Sequence, residues 1–440
     1  MSAMFRALGV RNYRLWFAGT LVSSVGLWMQ RIAQDWLVLT ELTDDDASAV
    51  GLTMALNFGP QLLLAPFAGV ITDRVSRRAL LVVTQIAMAV LAVGLGVLTV
   101  TGVVELWMVF GFALALGIAS AFDAPARQAF VSDLVPVDRL GNAVALGATA
   151  FNSARLIGPA LAGLLVAAIG TGWVFFINAA TYLAVILVLG LLRRDDFTER
   201  RRSPRSASGF RDGLRYLRKR PDIRLVLVVV FLIGIFGLNF ALFLATMVRI
   251  EFEAGPEALG IVSSIMAVGS VIGALLSARR ERPRLRTVTI AGAGLALGLV
   301  ACAAAPNLVT FAAAAVVTGF ASLTMLTTAN GYVQTMTSPA FRGRVMAVYL
   351  AVLFGGTPIG APLLGAIANV AGPRWALLVG AAGCLLAAVI AAAFFVRTRQ
   401  VRLRFVRRVW PLRVEYGNSS FGRELATTEI AIVEAETTKV

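Results

Sequence analysis

Gly69-Val70-Ile71-Thr72-Asp73-Arg74-Val75-Ser76-Arg77-Arg78-Ala79-Leu80-Leu81 places three arginines and one aspartate within six residues, and apolar sequence runs away on both sides. The run before it reaches back to about residue 48 and the run after it extends to about residue 100. Each is as long as the ~20 apolar residues that a helix needs to cross the hydrocarbon of a bilayer. The stretch therefore reads as a short charged hairpin between two membrane helices.

Composition agrees. The 440 residues are 58% hydrophobic and only 15% charged, too little polar surface to clothe a soluble domain of this size. A net charge of +16 would point to nucleic acid in a soluble protein. Here the basic residues cluster between apolar spans, where membrane topology accounts for them, so no nucleic-acid partner is expected. Cys302 and Cys384 both lie inside apolar runs, which supports neither a disulfide framework nor a metal site. The chain has no histidine, so any proton-coupled step falls to Asp or Glu. No phosphate-binding loop, zinc cluster or nucleophile–base pair is present; the expectation is a non-enzyme with no cofactor. The first apolar run lacks a small-residue cleavage site and reads as a retained helix.

Twelve candidate spans follow, at about 15–39, 48–72, 79–100, 104–124, 143–168, 171–192, 223–248, 257–278, 287–305, 308–330, 345–370 and 373–396. With the N-terminus in the cytoplasm, 36 of the 40 Lys and Arg residues fall in cytoplasmic segments, so both termini are expected there, in the inner (plasma) membrane of a cell. The expected organisation is a cytoplasmic N-terminus (1–14), a six-helix bundle (15–192), a cytoplasmic linker (193–222), a second six-helix bundle (223–396) and a cytoplasmic tail (397–440). Arg200-Arg201-Arg202-Ser203-Pro204-Arg205-Ser206 is a polar linker. After it, Phe210, Leu214 and Leu217 share one face of a predicted amphipathic helix ringed by basic residues. Residues 397–413 are basic with interspersed apolar side chains, suited to an inner leaflet of anionic lipid. From Tyr416 the chain is polar and aperiodic, as in disordered segments.

The halves echo each other. Pro136, Arg139 and Pro159 recur 203 residues later as Pro339, Arg342 and Pro362. Combined with the 6+6 split, this favours two duplicated bundles. The counterpart of the opening stretch, Gly273 to Arg280, keeps the glycine and arginines but has lost the acid.

The opening stretch resembles the loop signature of the major facilitator superfamily, G-x-L-a-D-r-x-G-r-k/r-x-x-l. Gly69, Asp73, Arg74, Arg77 and Arg78 match it, while Ser76 and Ile71 depart from it. Gly158-Pro159-Ala160-Leu161-Ala162-Gly163 is similar to the helix-5 motif of antiporters in that superfamily, through Gly158, Pro159 and Gly163. The runs Trp28 to Leu39 and Phe122 to Gln128 look like the branch that holds bacterial enterobactin exporters and drug-efflux permeases. The resemblance implies an all-α integral membrane protein of twelve transmembrane helices in two pseudo-symmetric bundles. It also implies efflux by proton antiport with alternating access, acting as a monomer on a small-molecule substrate such as a drug or siderophore. A cytoplasmic gate is implied too, in which Asp123 pairs with loop arginines such as Arg77, near Arg127, and Asp73 faces the eleventh span near Arg344. An importer of the same fold, and a non-transporting sensor or scaffold, remain open on these residues.

Polar groups within spans are costly and each is a candidate site. Arg31 and Asp35 lie four residues apart on one helical face, with Gln30 and Gln34 beside them. They read either as a proton-exchanging acid tuned by an arginine or as a constitutive pair near the outer headgroups. Arg155 has no acid on its own span, so it calls for a partner from another helix, a substrate anion or a water-filled cavity. Asn57, Gln61, Asn152, Asn178, Asn239 and Asn330 read either as substrate-cavity amides or, the more favoured role for each alone, as hydrogen bonds between helices. Asn239 and Asn330 rank higher because the resemblance puts their spans at the cavity. Met54, Phe58, Phe236, Phe240, Phe243 and Met325 read equally as packing or as an apolar binding wall.

Overall fold

The computed structural model describes residues 3–193, 215–278, 283–338, 341–399, 402–405 and 412–415. The linker residues 194–214 (with Phe210 and Leu214), Arg279 and Arg280, Pro339, the Asp73 side chain and the tail from Tyr416 lie outside the described residues.

The first half is built from α1 (Arg11–Thr40), α2 (Ala47–Arg74), α3 (Arg77–Val100), α4 (Leu106–Leu134), α5 (Val137–Ile169) and α6 (Thr171–Leu191). The second begins with α7 (Pro221–Phe236), which resumes after a break as α8 (Phe240–Thr246) and a π-helical turn, Met247–Glu251. It continues with α9 (Pro256–Ala278), α10 (Leu285–Ala303), α11 (Leu308–Met336), α12 (Arg342–Ala371) and α13 (Pro373–Arg399). Eleven helical stretches, with Pro221–Glu251 taken as one, are long and apolar enough to cross a membrane. The 30-residue α1 is not among them, because its second half carries Gln30, Arg31, Gln34 and Asp35. With α1 the expected twelve long stretches are present.

Local chemistry explains where helices start and stop. The Asp46 side chain caps α2 by accepting the Ser48 and Ala49 N–H groups. Ser76 caps α3 through the Ala79 N–H, and Asn307 and Thr310 form a capping box on α11. The α5–α6 and α12–α13 corners both turn on a glycine at positive φ, Gly170 (83°) and Gly372 (95°), a conformation in which a side chain is strained.

Helix packing repeats between the halves. In the first, α1 packs on α5 and α6, α3 on α4 and α6, and α2 on α4. In the second, α7 packs on α12 and α13, α10 on α11 and α13, and α9 on α11. These are the same pairings displaced by six spans. The halves meet along two seams, α2 against α12 and α5 against α9, which exchange under that displacement.

One face of the bundle, the terminal face, carries residues 3–9, the end of α6 and the start of α7; the other is the far face. At the far face Asn369 accepts the Ala47 N–H (2.7 Å) and donates to Asp46, and Arg249 pairs with Asp45 at 2.8 Å. Partial burial pushes the Asp46 carboxyl up, but bonds from Asn369, Ala49 and Ser48 outweigh it and hold it below the usual carboxylate range. A depressed carboxyl stabilises the folded clasp above its ordinary pKa of about 4, and that contribution disappears as pH falls through the lowered value.

At the terminal face residues 215–218 are helical, the described part of the predicted amphipathic helix, with Leu217 buried. This segment belongs to the second half. Tyr216 stacks on Phe341 (4.8 Å), and Arg220 donates to the Met336 carbonyl (2.8 Å) and doubly to Asp222. Hydrogen bonding to Asp222 raises the Arg220 pKa, so the guanidinium stays charged. In the tail, β1 (Arg402–Phe405) and β2 (Leu412–Glu415) pair antiparallel.

Loss of the Asp46 cap should cost about 1 kcal/mol. Asp46→Ala is expected to speed labelling of a cysteine placed at Met54 by an impermeant thiol reagent applied to the far face, roughly fivefold at that energy. An unchanged rate would mean the clasp does not hold that face shut.

Candidate functional site

Between the halves lies a cavity of about 110 Å³. Trp28, Arg31, Asp35, Phe58 and Arg155 wall it on the first-half side, and Leu238, Phe240, Met266, Leu326 and Phe354 on the second. The cavity is smaller than the ~300 Å³ that a drug-sized molecule needs. A larger guest therefore requires the halves to move apart.

All the charge in the cavity wall comes from the first half. Arg31 and Asp35 are buried, at 6% and 4% exposure. Despite their helical spacing they form no ion pair. The Arg31 Nε and Nη2 atoms and the Asp35 Oδ1 atom have no hydrogen-bond partner. Arg31 instead lies over the rings of Phe58 (4.4 Å) and Trp28 (5.3 Å), and Arg155 approaches the same Trp28 ring at 5.6 Å. The expected Arg31–Asp35 pair is thus corrected: cation–π contacts, which are favourable when desolvated, hold the guanidinium against the rings and away from the acid. The second half contributes the hydroxyls of Ser263, Ser270, Ser322 and Thr357.

The second-half wall is shaped by a break that was read from the sequence as one continuous span, 223–248. The helix stops at Phe236, where the Gly237 and Leu238 N–H groups both bond to the Ile233 carbonyl. The Asn239 side chain donates to the Ile235 carbonyl at 2.6 Å, replacing a rung of the ladder. A side chain at Gly237 would meet the Cys384 Sγ at 2.4 Å, so the glycine lets the break pack closely against α13. Leu238, Phe240, Ala241 and Leu244 reach the cavity from this broken segment. Non-helical backbone at membrane depth is tolerated where it borders a cavity.

Of the amides singled out from the sequence, Asn152 lines the cavity and the others lie elsewhere. Gln30 accepts from Asn178, Gln34 donates to the Val109 carbonyl (3.2 Å), and Gln61 bonds to the Asn57 carbonyl one turn before it (3.5 Å). Asn57 and Asn239 are fully buried in helix packing, and Asn330 takes a bond from Gln334 on its own helix. None of these six is among the cavity-lining residues. Helix–helix and local hydrogen bonds hold Gln30, Gln34, Gln61, Asn239 and Asn330, although the amide oxygens of Gln34, Asn57 and Asn239 keep no partner. Of the apolar candidates, Met54, Phe58 and Phe240 line the cavity, Phe243 and Met325 are core, and Phe236 packs on Gly380 and Gly383. Trp28, the ring shared by both guanidiniums, was seen in the sequence only as part of a motif.

The gate residues sort differently from expectation. Asp123 does not pair with Arg77. It pairs with Arg127 on its own helix and accepts Thr84 (2.9 Å) and Gln85 (2.7 Å) from α3, while Arg127 reaches Ser23 on α1 (3.1 Å). Arg77 pairs with Asp133, about three helical turns beyond Asp123 on α4, at 2.7 Å. Arg78 donates to the Leu189 carbonyl at the end of α6 (2.6 Å). Gly69 and Arg74 lie at the terminal-face end of α2, and the Asp73 partner lies outside the described side chains.

The helix-5 motif serves both interfaces. A side chain at Gly158 would meet the Trp28 Cβ at 2.5 Å, so this glycine seats α1 on α5. A side chain at Gly163 would meet the Gly260 nitrogen at 2.3 Å, across the seam with α9. Pro159 between them faces the cavity.

Two six-helix halves around a charged central cavity are the frame of a membrane transporter, and sequence comparison agrees. Residues 3–413 match the family described as transmembrane secretion effector, of the MFS class. The chain belongs to this family of major facilitator transporters. Transporters are not enzymes, and the family works on small molecules across a multi-span membrane protein. The MFS-type transporter YfiS of Bacillus subtilis is 28% identical over 277 residues, 60% of this chain and 63% of that protein. The chain thus spans somewhat under two thirds of that relative. The multidrug efflux pump Tap of Mycolicibacterium fortuitum is 26% identical over 87% of this chain and 95% of Tap. The enterobactin exporter EntS of Shigella boydii is 25% identical over 89% and 93%. In fold, the chain is similar to a bacterial homolog of the human lysosomal transporter Spinster in an inward-facing, unoccupied conformation. The TM-score is 0.67 at 17% identity, over 87% of this chain and 96% of that one.

A double-mutant cycle tests the gate pairing. Arg77→Gln and Asp133→Asn should be non-additive in thermal stability by ~0.5–3 kcal/mol, as for groups in contact. Arg77→Gln and Asp123→Asn should add. The reverse pattern would restore the pairing expected from family resemblance.

Proposed function

We propose that this transporter exports amphipathic small molecules, of the kind represented by lipophilic drugs or siderophores, from the cell in exchange for protons. The observation that carries the reading is Asp35. It is the one carboxyl group in the cavity wall, it is buried, and its Oδ1 has no hydrogen-bond donor. A carboxylate in such surroundings is expensive unless it is protonated or meets a cation. Proton and substrate therefore compete for the space around Asp35, which is the condition for exchange rather than cotransport. Arg31, one turn away, lowers the cost of the ionised form.

Direction and placement rest on charge. Most of the Lys and Arg residues fall in the sequence segments that lead into and out of the terminal face, so that face is assigned to the cytoplasm, with anionic lipid against the linker and tail. Asp73, Arg74, Arg77 and Arg78, with Asp123 and Arg127, form the cytoplasmic gate region. The two seams supply the surfaces on which the halves rock, and the protein works as a monomer in the inner membrane. Efflux pumps and an exporter among the relatives support the direction.

Inside-out vesicles with an imposed proton gradient and a pH-sensitive dye test this. Addition of lipophilic cations, macrolides or catecholate siderophores should trigger proton release in the wild type, and Asp35→Asn should abolish it. Release that survives Asp35→Asn would place the proton site elsewhere. Gradient-driven accumulation in right-side-out vesicles instead would reverse the direction.

A further inference from the structure

The cavity places two buried charges, Arg31 and Asp35, and the half-buried Arg155 around one space, and among the described residues none of the three has an ionic partner. Arg31 and Asp35, spaced to pair, do not, and each keeps a buried polar atom without a partner; Arg155 lies against the Trp28 ring and forms no ion pair among the described residues. Charges at membrane depth that are left unpaired cost several kcal/mol each, and that cost is recovered when a ligand supplies the counter-charge. The opposing wall is apolar apart from four hydroxyls.

We propose that the preferred substrate is a zwitterionic aromatic amphiphile, whose carboxylate sits between Arg155 and Arg31, whose ammonium meets Asp35, and whose ring system lies against Phe240 and Phe354. This rests on the reading of the cavity as the transport site. Both guanidiniums lie within 5.6 Å of the Trp28 ring centroid, so one carboxylate beside that ring comes within reach of the two. Four residues of helix separate Arg31 from Asp35, about 6 Å along α1. The carboxylate and ammonium should then be several bonds apart, which excludes simple α-amino acids. The ammonium is the part that a proton displaces at Asp35, while the carboxylate fixes orientation. A singly charged or neutral analogue leaves at least one buried charge unmatched, and a site built to bind a polar group discriminates strongly against a ligand that lacks it. The cavity must widen to accept a two-ring body, as its volume requires.

The test uses the full-length transporter in nanodiscs and four probes. One is a naphthalene with a carboxylate on one ring and an aminomethyl group on the other. The others are its methyl ester, its N-acetyl derivative and the doubly blocked compound. Calorimetric binding should favour the zwitterion over either singly blocked compound by at least about tenfold, 1.4 kcal/mol. Arg155→Gln should weaken only the probes that keep the carboxylate, with Arg155→Lys intermediate. Asp35→Asn should weaken only those that keep the amine. Equal affinity for zwitterion and ester, indifference to Arg155→Gln, or no binding by any of the four would overturn the proposal. A charge preference together with proton release that ignores Asp35 would sink the exchange reading alone. Asp35-dependent release together with equal affinities would sink this proposal alone.

Discussion

Backbone-to-backbone approach at the two seams is the constraint on which the rest of the structure depends. Gly163 stands against Gly260 and the Pro256 carbonyl, Gly51 against the Ala361 carbonyl, and Gly365 against the Ala47 carbonyl, all too close for a Cβ. In lipid, burying apolar side chains gives helices little reason to associate, and close packing between small residues takes over. The seams are equivalent under the internal repeat. Both draw the halves together toward the far face, and the cavity lies between them. A seam made of small residues and a few polar clasps is also one that can be parted and remade, unlike an interlocked core of large side chains.

The charges buried in the first half fall into two kinds. Asp123 is surrounded: Arg127, Thr84 and Gln85 all donate to it, and Arg127 continues to Ser23. Such a network fixes α1, α3 and α4 to one another and belongs to the rigid body of the half. Arg31, Asp35 and Arg155 are the opposite case, with guanidinium faces on aromatic rings and polar edges left open. Burial is similar, but satisfaction differs. That contrast, rather than the presence of charge in a span, separates structural glue from a binding site.

Much of this was legible in the chain. Spans of apolar residues, the basic segments between them and the 203-residue echo are composition and spacing, and they survive folding unchanged. Asp35, Arg31 and Arg155 were also visible, because an ionisable residue within an apolar run stands out against its neighbours. What was not legible depended on direction. The amides Gln30 and Gln34 share a span with the cavity residues, yet their side chains bond to other helices. The partner of Arg77 is Asp133 rather than Asp123, about three helical turns away on the same helix, a choice that sequence cannot rank. The break at Gly237-Leu238-Asn239 hides within an apolar run, where glycine and asparagine are common enough to pass without notice.

The central claim, that the two halves move as bodies about the seams so that one face opens as the other closes, is tested most directly by paired distances. Spin labels at Thr101 and Val309 report the far face, and labels at Val137 and Thr335 report the terminal face; all four positions are exposed. On a change of pH or addition of a transported compound, double electron–electron resonance should show one distance lengthening as the other shortens. Two distances that stay fixed, or that lengthen together, would contradict the account.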